Sequence, residues 1–496
     1  MRKKVLLGAE YSILDPLGLF HLSSIARQEG WEPKIILGKR PNYEEINIAL
    51  KDFQPDIFGF TLYTGNHTDM ERNLQKIKKE KKDLITIVGG PHPTYFPEDS
   101  KKYADFIVIG EGFNSFRKIL RGEADKGIVH LTKTEPFPLP DRKSFYREND
   151  SHNKNPIKNV ITSVGCAFKC THCYNSSNIR EVKGFNVEQV KDMEQALSSK
   201  RFFPYTQRNV DEVIEEIRIL KEISPYTKML FLEDDIFGID LDWLEKFADK
   251  YNSKLPFHAN MRFEFIDPSK EKGRKRLELL KRAGCNGLSL AIESGDETIR
   301  KEILNRNTPE ELIFEVMHAL KENDLRVRTY NMLGFPYGTT TTPTKMNLDA
   351  DLQTLELNVR LKKETGLPTF AWASTLMPYP GTKIAQYCSK YGFYDENLDD
   401  LYGDETYRIN SVLGHLKKWV GPDENIKEQE RLPKEEQEKY KTQLNLLMNY
   451  FPIFAKIEKG HEFARRFLNQ EDLSSAGINK AIRSHIYCYE LFGIKE

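Results

Sequence analysis

Residues 160–174 read Val160-Ile161-Thr162-Ser163-Val164-Gly165-Cys166-Ala167-Phe168-Lys169-Cys170-Thr171-His172-Cys173-Tyr174. The stretch begins as a β-branched strand and opens into a loop whose cysteines are spaced C-x3-C-x2-C. Three thiolates at this spacing can ligate three corners of a cubane cluster from one loop. Three protein ligands for four irons leave one iron open to a substrate or cofactor, whereas electron-transfer clusters fill every corner with cysteine. The other cysteines, Cys285, Cys388 and Cys488, are scattered and offer no obvious fourth ligand. A structural zinc site is the alternative, with His172 as an extra candidate ligand, but such sites pair two cysteine knuckles and no second knuckle exists. A redox dithiol is a further alternative. Cys285, in Ala283-Gly284-Cys285, precedes a buried strand and reads as a small core residue.

Downstream of the loop come strand-like runs at Met229–Leu232, Phe257–Met261, Gly287–Ala291, Arg326–Leu333 and Thr369–Leu376. With Val160–Ser163 they make six strands separated by helical stretches, one of them marked by the face Val210, Val213, Ile214, Ile217 and Leu220. Six strand–helix units suggest a partial (β/α)6 barrel, whose active site belongs at the carboxyl ends of its strands. Upstream, apolar runs recur at Val5–Gly8, Ile35–Leu37, Ile57–Thr61, Ile85–Val88 and Phe106–Ile109, with charged helical stretches between them. Five such strands with helical crossovers imply a parallel sheet covered on both faces. Their carboxyl ends are rich in small residues: Gly8, Thr61, Gly89-Gly90-Pro91-His92 and Gly110-Glu111-Gly112. Glycines there are either plain turns or places where the backbone approaches a ligand closely. The residues after the first strand do not carry the G-x-G-x-x-G dinucleotide fingerprint.

The chain carries 74 Lys+Arg and 74 Asp+Glu among 496 residues, so no basic excess points to nucleic acid. Hydrophobic residues are 39% and charged residues 30%, which supports a sizeable core. No apolar run reaches the roughly 18 residues of a membrane span, and the N-terminus reads as a strand and not as a signal peptide. Six cysteines do not make a disulfide scaffold, so a cytoplasmic, reducing home is expected. The proline-rich Thr134–Asp141 and the polar residues that follow read as a boundary. The expected domains are therefore 1–130, a linker over 131–158, a barrel over 159–387 and a helical portion over 388–496. That last portion is rich in aromatic residues (Tyr440, Tyr450, Phe451, Phe454, Phe463, Phe467), a helical core or in part a substrate pocket. Lys427–Lys441 reads as a solvated, charge-dense stretch with Pro433 opening a helix. The thirty-odd residues between Tyr174 and Gln207 carry no readable motif.

The cysteine loop and the order of strand ends resemble the radical S-adenosylmethionine (radical SAM) enzymes over most of the chain. The Gly89-Gly90-Pro91-His92 and Ile109-Gly110-Glu111-Gly112 turns resemble the cobalamin-binding domain at the front of many of them. The resemblance implies an α/β protein with a Rossmann- or flavodoxin-like cobalamin-binding domain, a partial-barrel radical SAM core and a C-terminal helical region. It implies a 4Fe-4S cluster on Cys166, Cys170 and Cys173, S-adenosyl-L-methionine at the open iron, and cobalamin near Gly8, Thr61, Gly89, Gly90, His92, Gly110 and Gly112. The D-x-H-x-x-G motif that supplies a cobalt-ligating histidine is missing, since Asp15 and His21 are six apart; the resemblance then implies cobalamin without a histidine on cobalt.

By the same resemblance Glu233, Asp234 and Asp235 hold the methionyl amino group, against a solvated acidic turn as the alternative. Glu293, in Ile292-Glu293-Ser294-Gly295, accepts from the ribose hydroxyls, against a barrel-mouth salt bridge, for example with Arg262. Arg262 meets the cofactor carboxylate and Gly334 lets the backbone approach adenine. No side chain is assigned a catalytic role beyond holding cofactors. The implied activity is reductive cleavage of S-adenosylmethionine to a 5′-deoxyadenosyl radical, with methylation of an unactivated carbon of a small-molecule substrate as the first reading. An external one-electron reductant such as flavodoxin or ferredoxin is expected. A cobalamin-assisted oxidation, cyclisation or ring rearrangement without methyl transfer is the second reading. A methylthiotransferase would need a second set of cluster cysteines, which is absent. A non-enzymatic corrinoid or redox sensor stands as the reading of another class.

Overall fold

The computed structural model describes residues 2–338, 343–346, 348–391, 393 and 434–468. These divide into two compact units. One holds the residues up to Phe168 together with Tyr174–Leu230; the other holds Lys169–Cys173 and the described residues from Phe231 onward.

In the first unit, strands β1 (Lys4–Glu10), β2 (Glu32–Gly38), β3 (Ile57–Thr61), β4 (Ile85–Gly89), β5 (Phe106–Val108) and β6 (Gly127–Val129) form one sheet in the order β2-β1-β3-β4-β5-β6. All five ladders are parallel. The five expected strands are present; the sixth, Gly127-Ile128-Val129, opens on glycine and is only half-buried, so it does not stand out as an apolar run. Val5, Leu6, Phe58, Val88 and Ile107 are fully buried, as a parallel sheet with helices on both faces requires. Those helices are α1 (Leu17–Gln28), α2 (Glu44–Phe53), α3 (His67–Glu80), α4 (Pro91–Tyr95), α5 (Pro97–Ser100) and α6 (Phe113–Arg121). Because β1 pairs with both β2 and β3, the chain reverses its direction of travel there, and the crevice at the carboxyl ends of β1 and β3 is the topological switch point.

Residues 131–158, expected as a linker, carry α7 (Arg142–Glu148) and α8 (Asp150–Lys154). The Arg142 guanidinium is buried and donates to Asp15 Oδ2 at 2.8 Å, Glu216 Oε1 at 2.8 Å and the Asn159 carbonyl at 2.7 Å. Arg208 closes the network on Glu216 Oε2 at 2.7 Å. Buried charges persist only when paired in this way, so the polar composition of this stretch reflects internal ion pairs and not exposure alone.

After β7 (Ile157–Val160) and β10 (Met229–Leu232), the second unit holds a sheet ordered β11 (Phe257–Met261), β12 (Cys285–Glu293), β13 (Arg326–Leu333) and β16 (Phe370–Thr375). Its β11–β12, β12–β13 and β13–β16 ladders are parallel, and the division between the units falls inside β10. The first strand ends at Val160, earlier than expected. Ser163–Val164 (β8) instead pairs antiparallel with Thr206–Gln207 (β9). Pro336–Gly338 (β14) and Pro343–Met346 (β15) add a hairpin that periodicity did not reveal.

Helices α9 (Val187–Leu197) and α10 (Val210–Ile223) belong to the first unit. To the second belong α11 (Leu241–Lys250), α12 (Glu271–Arg282), α13 (Glu310–Glu322), α14 (Leu348–Thr365), α15 (Lys383–Lys390), α16 (Lys434–Phe454) and α17 (Gly460–Leu468). Tyr440, Tyr450, Phe451 and Phe454 of α16 pack into a core with Leu352, Leu355, Ala371 and Ala373, so these rings are core. The side chains of Phe463 and Phe467, the stretch from Lys427 to Pro433, and Cys488 lie outside the described residues. Among the described residues no helix is long and apolar enough to cross a membrane.

Candidate functional site

The switch point of the first unit contains a cavity of about 170 Å3. Its floor is backbone: Gly59, Thr61, Gly89, Gly90, Gly110 and Gly112 line it. Its walls are apolar, with Leu7, Leu19, Leu22, Ile87, Val108 and Phe113 among them. Gly90 has φ of +99°, and a Cβ there would lie 2.9 Å from the Leu62 carbonyl oxygen, so only glycine fits. A flat apolar ring suits such a slot, because its walls ask for no hydrogen bonds. Five of the predicted residues, Thr61, Gly89, Gly90, Gly110 and Gly112, thus come together. Gly8 does not; the space where its Cβ would sit holds the Phe60 ring at 2.9 Å. Gly59 was missed, although a glycine inside an apolar strand signals close approach by another group. Glu111, between two floor glycines, has its Oε2 buried without a partner among the described residues. Burial pushes its carboxyl up to about 7, against a backbone hydrogen bond from Phe113.

His92 is fully buried and does not line the slot. Its Nδ1 lies 3.1 Å from Thr64 Oγ1 and its Nε2 3.1 Å from Asp99 Oδ2, while its ring stacks on His67 at 4.2 Å. Burial holds the imidazole below its ordinary value despite the Asp99 carboxylate. His21 spends Nδ1 on the Pro138 carbonyl at 2.6 Å, and burial lowers its pKa to about 4. Both histidines are engaged with protein partners.

The cysteine loop falls in both units: Cys166 in the first, Cys170 and Cys173 in the second. None of the three forms a disulfide. In the second unit the Cys173 amide donates to the Cys170 carbonyl at 3.2 Å, closing a turn. The Thr171 amide and hydroxyl donate to the carbonyls of Leu304 and Ile303, and Asn305 Nδ2 donates to the Lys169 carbonyl. Arg262, after β11, donates Nη1 to Cys170 Sγ at 3.3 Å. Its other two nitrogens hold the Glu264 carboxylate at 3.1 and 2.7 Å, and Thr308 Oγ1 donates to the same carboxylate. Burial would raise the Glu264 carboxyl, but the Arg262 guanidinium outweighs it and holds the pKa below the ordinary value.

Glu293 ends β12 with φ of +70°, where the β12–β13 register slips between Ala291 and Glu293. Bulges of this kind re-aim side chains next to active sites. Glu293 Oε1 accepts from Arg306 Nη1 at 3.2 Å and lies 3.6 Å from His172 Nε2. A salt bridge therefore exists, but its partner is Arg306 and not Arg262. Both of these contacts fall on Oε1. His172 is held below its ordinary pKa by burial, against the pull of Glu293, and its Nδ1 is buried without a partner among the described residues.

The acidic edge after β10 has Asp234 fully buried, Glu233 half-buried and Asp235 exposed. Asn260 donates Nδ2 to the Asp234 carbonyl at 3.0 Å, while its Oδ1 is buried with no partner among the described residues. An orphaned acceptor beside this edge suits an ammonium donor. Gly334 has φ of +83°, and its amide donates to Asp351 Oδ1 at 2.6 Å. Asp351 also accepts from Tyr440 at 2.9 Å, and burial pushes its carboxyl up to about 7. No short motif marks Asp351 or Arg306; both serve the site through tertiary contacts.

Residues 3–120 match the family model of the B12 binding domain, and residues 160–341 match that of the Radical SAM superfamily. An uncharacterized methyltransferase of Pyrococcus horikoshii is 25% identical over 404 residues, covering 75% of this chain and 78% of its own. Cytidylyl-2-hydroxyethylphosphonate methyltransferase of Streptomyces wedmorensis is 21% identical over 439 residues, covering 78% and 80%. The structure of the radical S-adenosylmethionine methyltransferase TsrM from Kitasatospora setae, with cobalamin and a 4Fe-4S cluster bound, shares the fold. Its TM-score is 0.55 at 15% identity, covering 79% of this chain and 76% of that one.

Proposed function

We propose that this chain, a radical SAM protein with a B12-binding domain ahead of its barrel, transfers a methyl group to an unactivated carbon of a small molecule. The observation that carries the reading is the pairing, in one chain, of the glycine-floored apolar slot with the three-cysteine loop. Its relatives in Pyrococcus and Streptomyces, named as methyltransferases, support the reaction class. When bound, the cluster and S-adenosylmethionine supply one-electron cleavage chemistry, and the corrinoid supplies a methyl carrier.

The chain's own residues bind and orient. Cys166, Cys170 and Cys173 hold three corners of the cluster, and Arg262 orients the Cys170 sulfur through its Nη1 hydrogen bond. Glu233, Asp234 and Asp235, with the free Asn260 Oδ1, receive the methionyl ammonium. Glu293 Oε2 receives ribose hydroxyls, while Arg306 fixes Oε1. Asp351 holds the Gly334 turn on which adenine rests. Thr61, Gly89, Gly90, Gly110 and Gly112 admit the corrinoid. Residues 1–130 serve as the corrinoid domain, 131–158 as the connection, 159–387 as the barrel and 388–496 as the accessory portion that selects substrate. An external one-electron reductant, flavodoxin or ferredoxin, works with it in the cytoplasm.

Methyl-labelled S-adenosylmethionine, supplied to the reduced holoenzyme with candidate extracts, tests the reaction class. The expected result is a product heavier by the labelled methyl at a carbon. Dehydrogenated or cyclised products without label would overturn methyl transfer.

The ribose role has its own test. A charge-assisted hydrogen bond is worth roughly 1.5–3 kcal/mol, so Glu293→Ala should weaken S-adenosylmethionine binding about ten- to a hundredfold. Glu293→Gln, which keeps one acceptor, should cost less. Calorimetric affinity beside the thermal melt without ligand reads both effects. Unchanged affinity with a lowered melting temperature would leave the Arg306 salt bridge as the sole role.

A further inference from the structure

The segment between Tyr174 and Gln207, which carries no motif, does two things within the first unit. It packs a small core: Ile179, Met193 and Phe202 join Tyr95, Ile109 and Leu131 in one buried cluster. Tyr174, next to Cys173, stacks on Tyr95 at 4.2 Å and 15°, and the Tyr95 hydroxyl donates to the Tyr174 carbonyl at 3.1 Å. The segment then returns as a strap across the start of the cysteine loop. β9 pairs with β8, Gln207 Nε2 donates to the Thr162 carbonyl at 2.8 Å, and the Phe203 and Pro204 carbonyls press on Gly165. A Cβ at Gly165, whose φ is +78°, would come within 2.3 and 2.5 Å of those oxygens.

Arg201 stands in this strap. Its Nη1 donates to the carbonyls of Cys166 at 2.8 Å and Phe168 at 3.0 Å, and its Nη2 to that of Ala167 at 3.2 Å. Three consecutive carbonyls turned toward one guanidinium have a consequence. In a planar trans peptide the N–H points opposite to the C=O, so the amides of residues 167–169 are turned away from Arg201. Successive amides facing one way form an anion-binding concavity of the kind that serves Fe–S sites. The guanidinium presents its donors from two spaced nitrogens in a rigid fork that matches a row of carbonyls; a lysine ammonium has three donors but offers them from one compact point charge.

We infer that Arg201 is the positioning residue for the first cluster ligand: its grip on residues 166–168 holds the Cys166 thiol and the following amides toward the metal side. The inference rests on the radical SAM reading and deepens it.

The test uses the full chain as wild type, Arg201→Ala and Arg201→Lys. In the reduced, metal-free chain, the rate of Cys166 alkylation by iodoacetamide, followed by mass spectrometry, should rise about tenfold in both variants, with Cys285 and the melting temperature unchanged. After anaerobic reconstitution, removing the positive charge should lower the reduction equilibrium constant of the cluster about tenfold in Arg201→Ala, ~59 mV. Arg201→Lys, which keeps the charge, should stay near wild type in potential while its cluster bleaches faster in air. Unchanged Cys166 alkylation in Arg201→Ala would overturn the inference, as would full protection by Lys. A parallel rise at Cys285 would also overturn it, because the effect would then be general loosening. A wild-type chain that takes up no iron would overturn the cluster reading itself, and the alkylation rates would still decide whether Arg201 orders the loop.

Discussion

The chain in which Cys166, Cys170 and Cys173 are all replaced by Ala is expected to lose its iron and all cleavage of S-adenosylmethionine. Wild type, reconstituted anaerobically, should hold about four irons, because three thiolates at this spacing serve one cubane. No other cysteine among the described residues can substitute. Cys285 is buried, its Sγ donates to the Gly287 carbonyl, and burial pushes its thiol up to about 12, which disfavours the thiolate that ligates metal. Cys388 is buried in α15. The fold should survive the triple change. Arg262 loses its sulfur partner but keeps both bonds to Glu264, and the Thr171 and Asn305 bonds that pin the loop do not involve sulfur. The melting temperature of the metal-free chain should therefore move little. Cys285→Ala should keep the full iron content. A triple variant that still carries a complete cluster would remove the site from this loop.

Gly89→Leu should abolish tight corrinoid binding without unfolding the chain. Gly89 lines the slot, has an ordinary φ, and a Cβ there would meet Val108 at 3.7 Å, an ordinary contact. The backbone therefore tolerates the change, and the leucine side chain occupies the space a flat ring would take. A ring filling the slot buries on the order of 150 Å2 of apolar surface, worth about 4 kcal/mol at 25 cal/mol/Å2. The affinity for added cobalamin should fall by roughly a hundred- to a thousandfold, read by gel filtration of the coloured complex or by calorimetry. Gly90→Leu is the poorer probe, since its strained φ and the Leu62 carbonyl would damage the fold as well. In the wild type, the cobalt(II) form should lack nitrogen hyperfine splitting from imidazole, because His21 and His92 are both committed to other partners. Unchanged affinity in Gly89→Leu, or an imidazole splitting that His92→Ala removes, would contradict this account of the first unit.

The features legible in the sequence were those written in local spacing. The cysteine loop, the five buried apolar strands of the first unit and most of the glycines at their ends were readable, because each follows from neighbours in the chain. That Glu233–Asp235, Glu293 and Gly334 fall at or just after strand ends was readable from the order of apolar runs. What stayed hidden depends on partners far apart in sequence. Arg306 reaches Glu293 from thirteen residues on, across a register slip. Asp351 holds Gly334 from the next helix. The polar stretch around Arg142 looked like a linker because composition cannot tell a solvated charge from one paired inside a network with Asp15 and Glu216. Arg201 sat in a segment without periodicity, and only the fold brings it to the cysteine loop. Gly8 was misplaced for the opposite reason. It ends an apolar run as the slot glycines do, yet its missing side chain makes room for Phe60 and not for a ligand.

The most direct test of the central claim is the appearance of 5′-deoxyadenosine. Holoenzyme carrying the cluster and cobalamin is incubated anaerobically with S-adenosylmethionine and a one-electron reductant, and the mixture is analysed by liquid chromatography and mass spectrometry. The account predicts 5′-deoxyadenosine that requires the reductant and disappears in the triple cysteine variant. A fully loaded, reduced protein that binds S-adenosylmethionine yet forms no 5′-deoxyadenosine would contradict it and leave a non-catalytic corrinoid or redox sensor in its place.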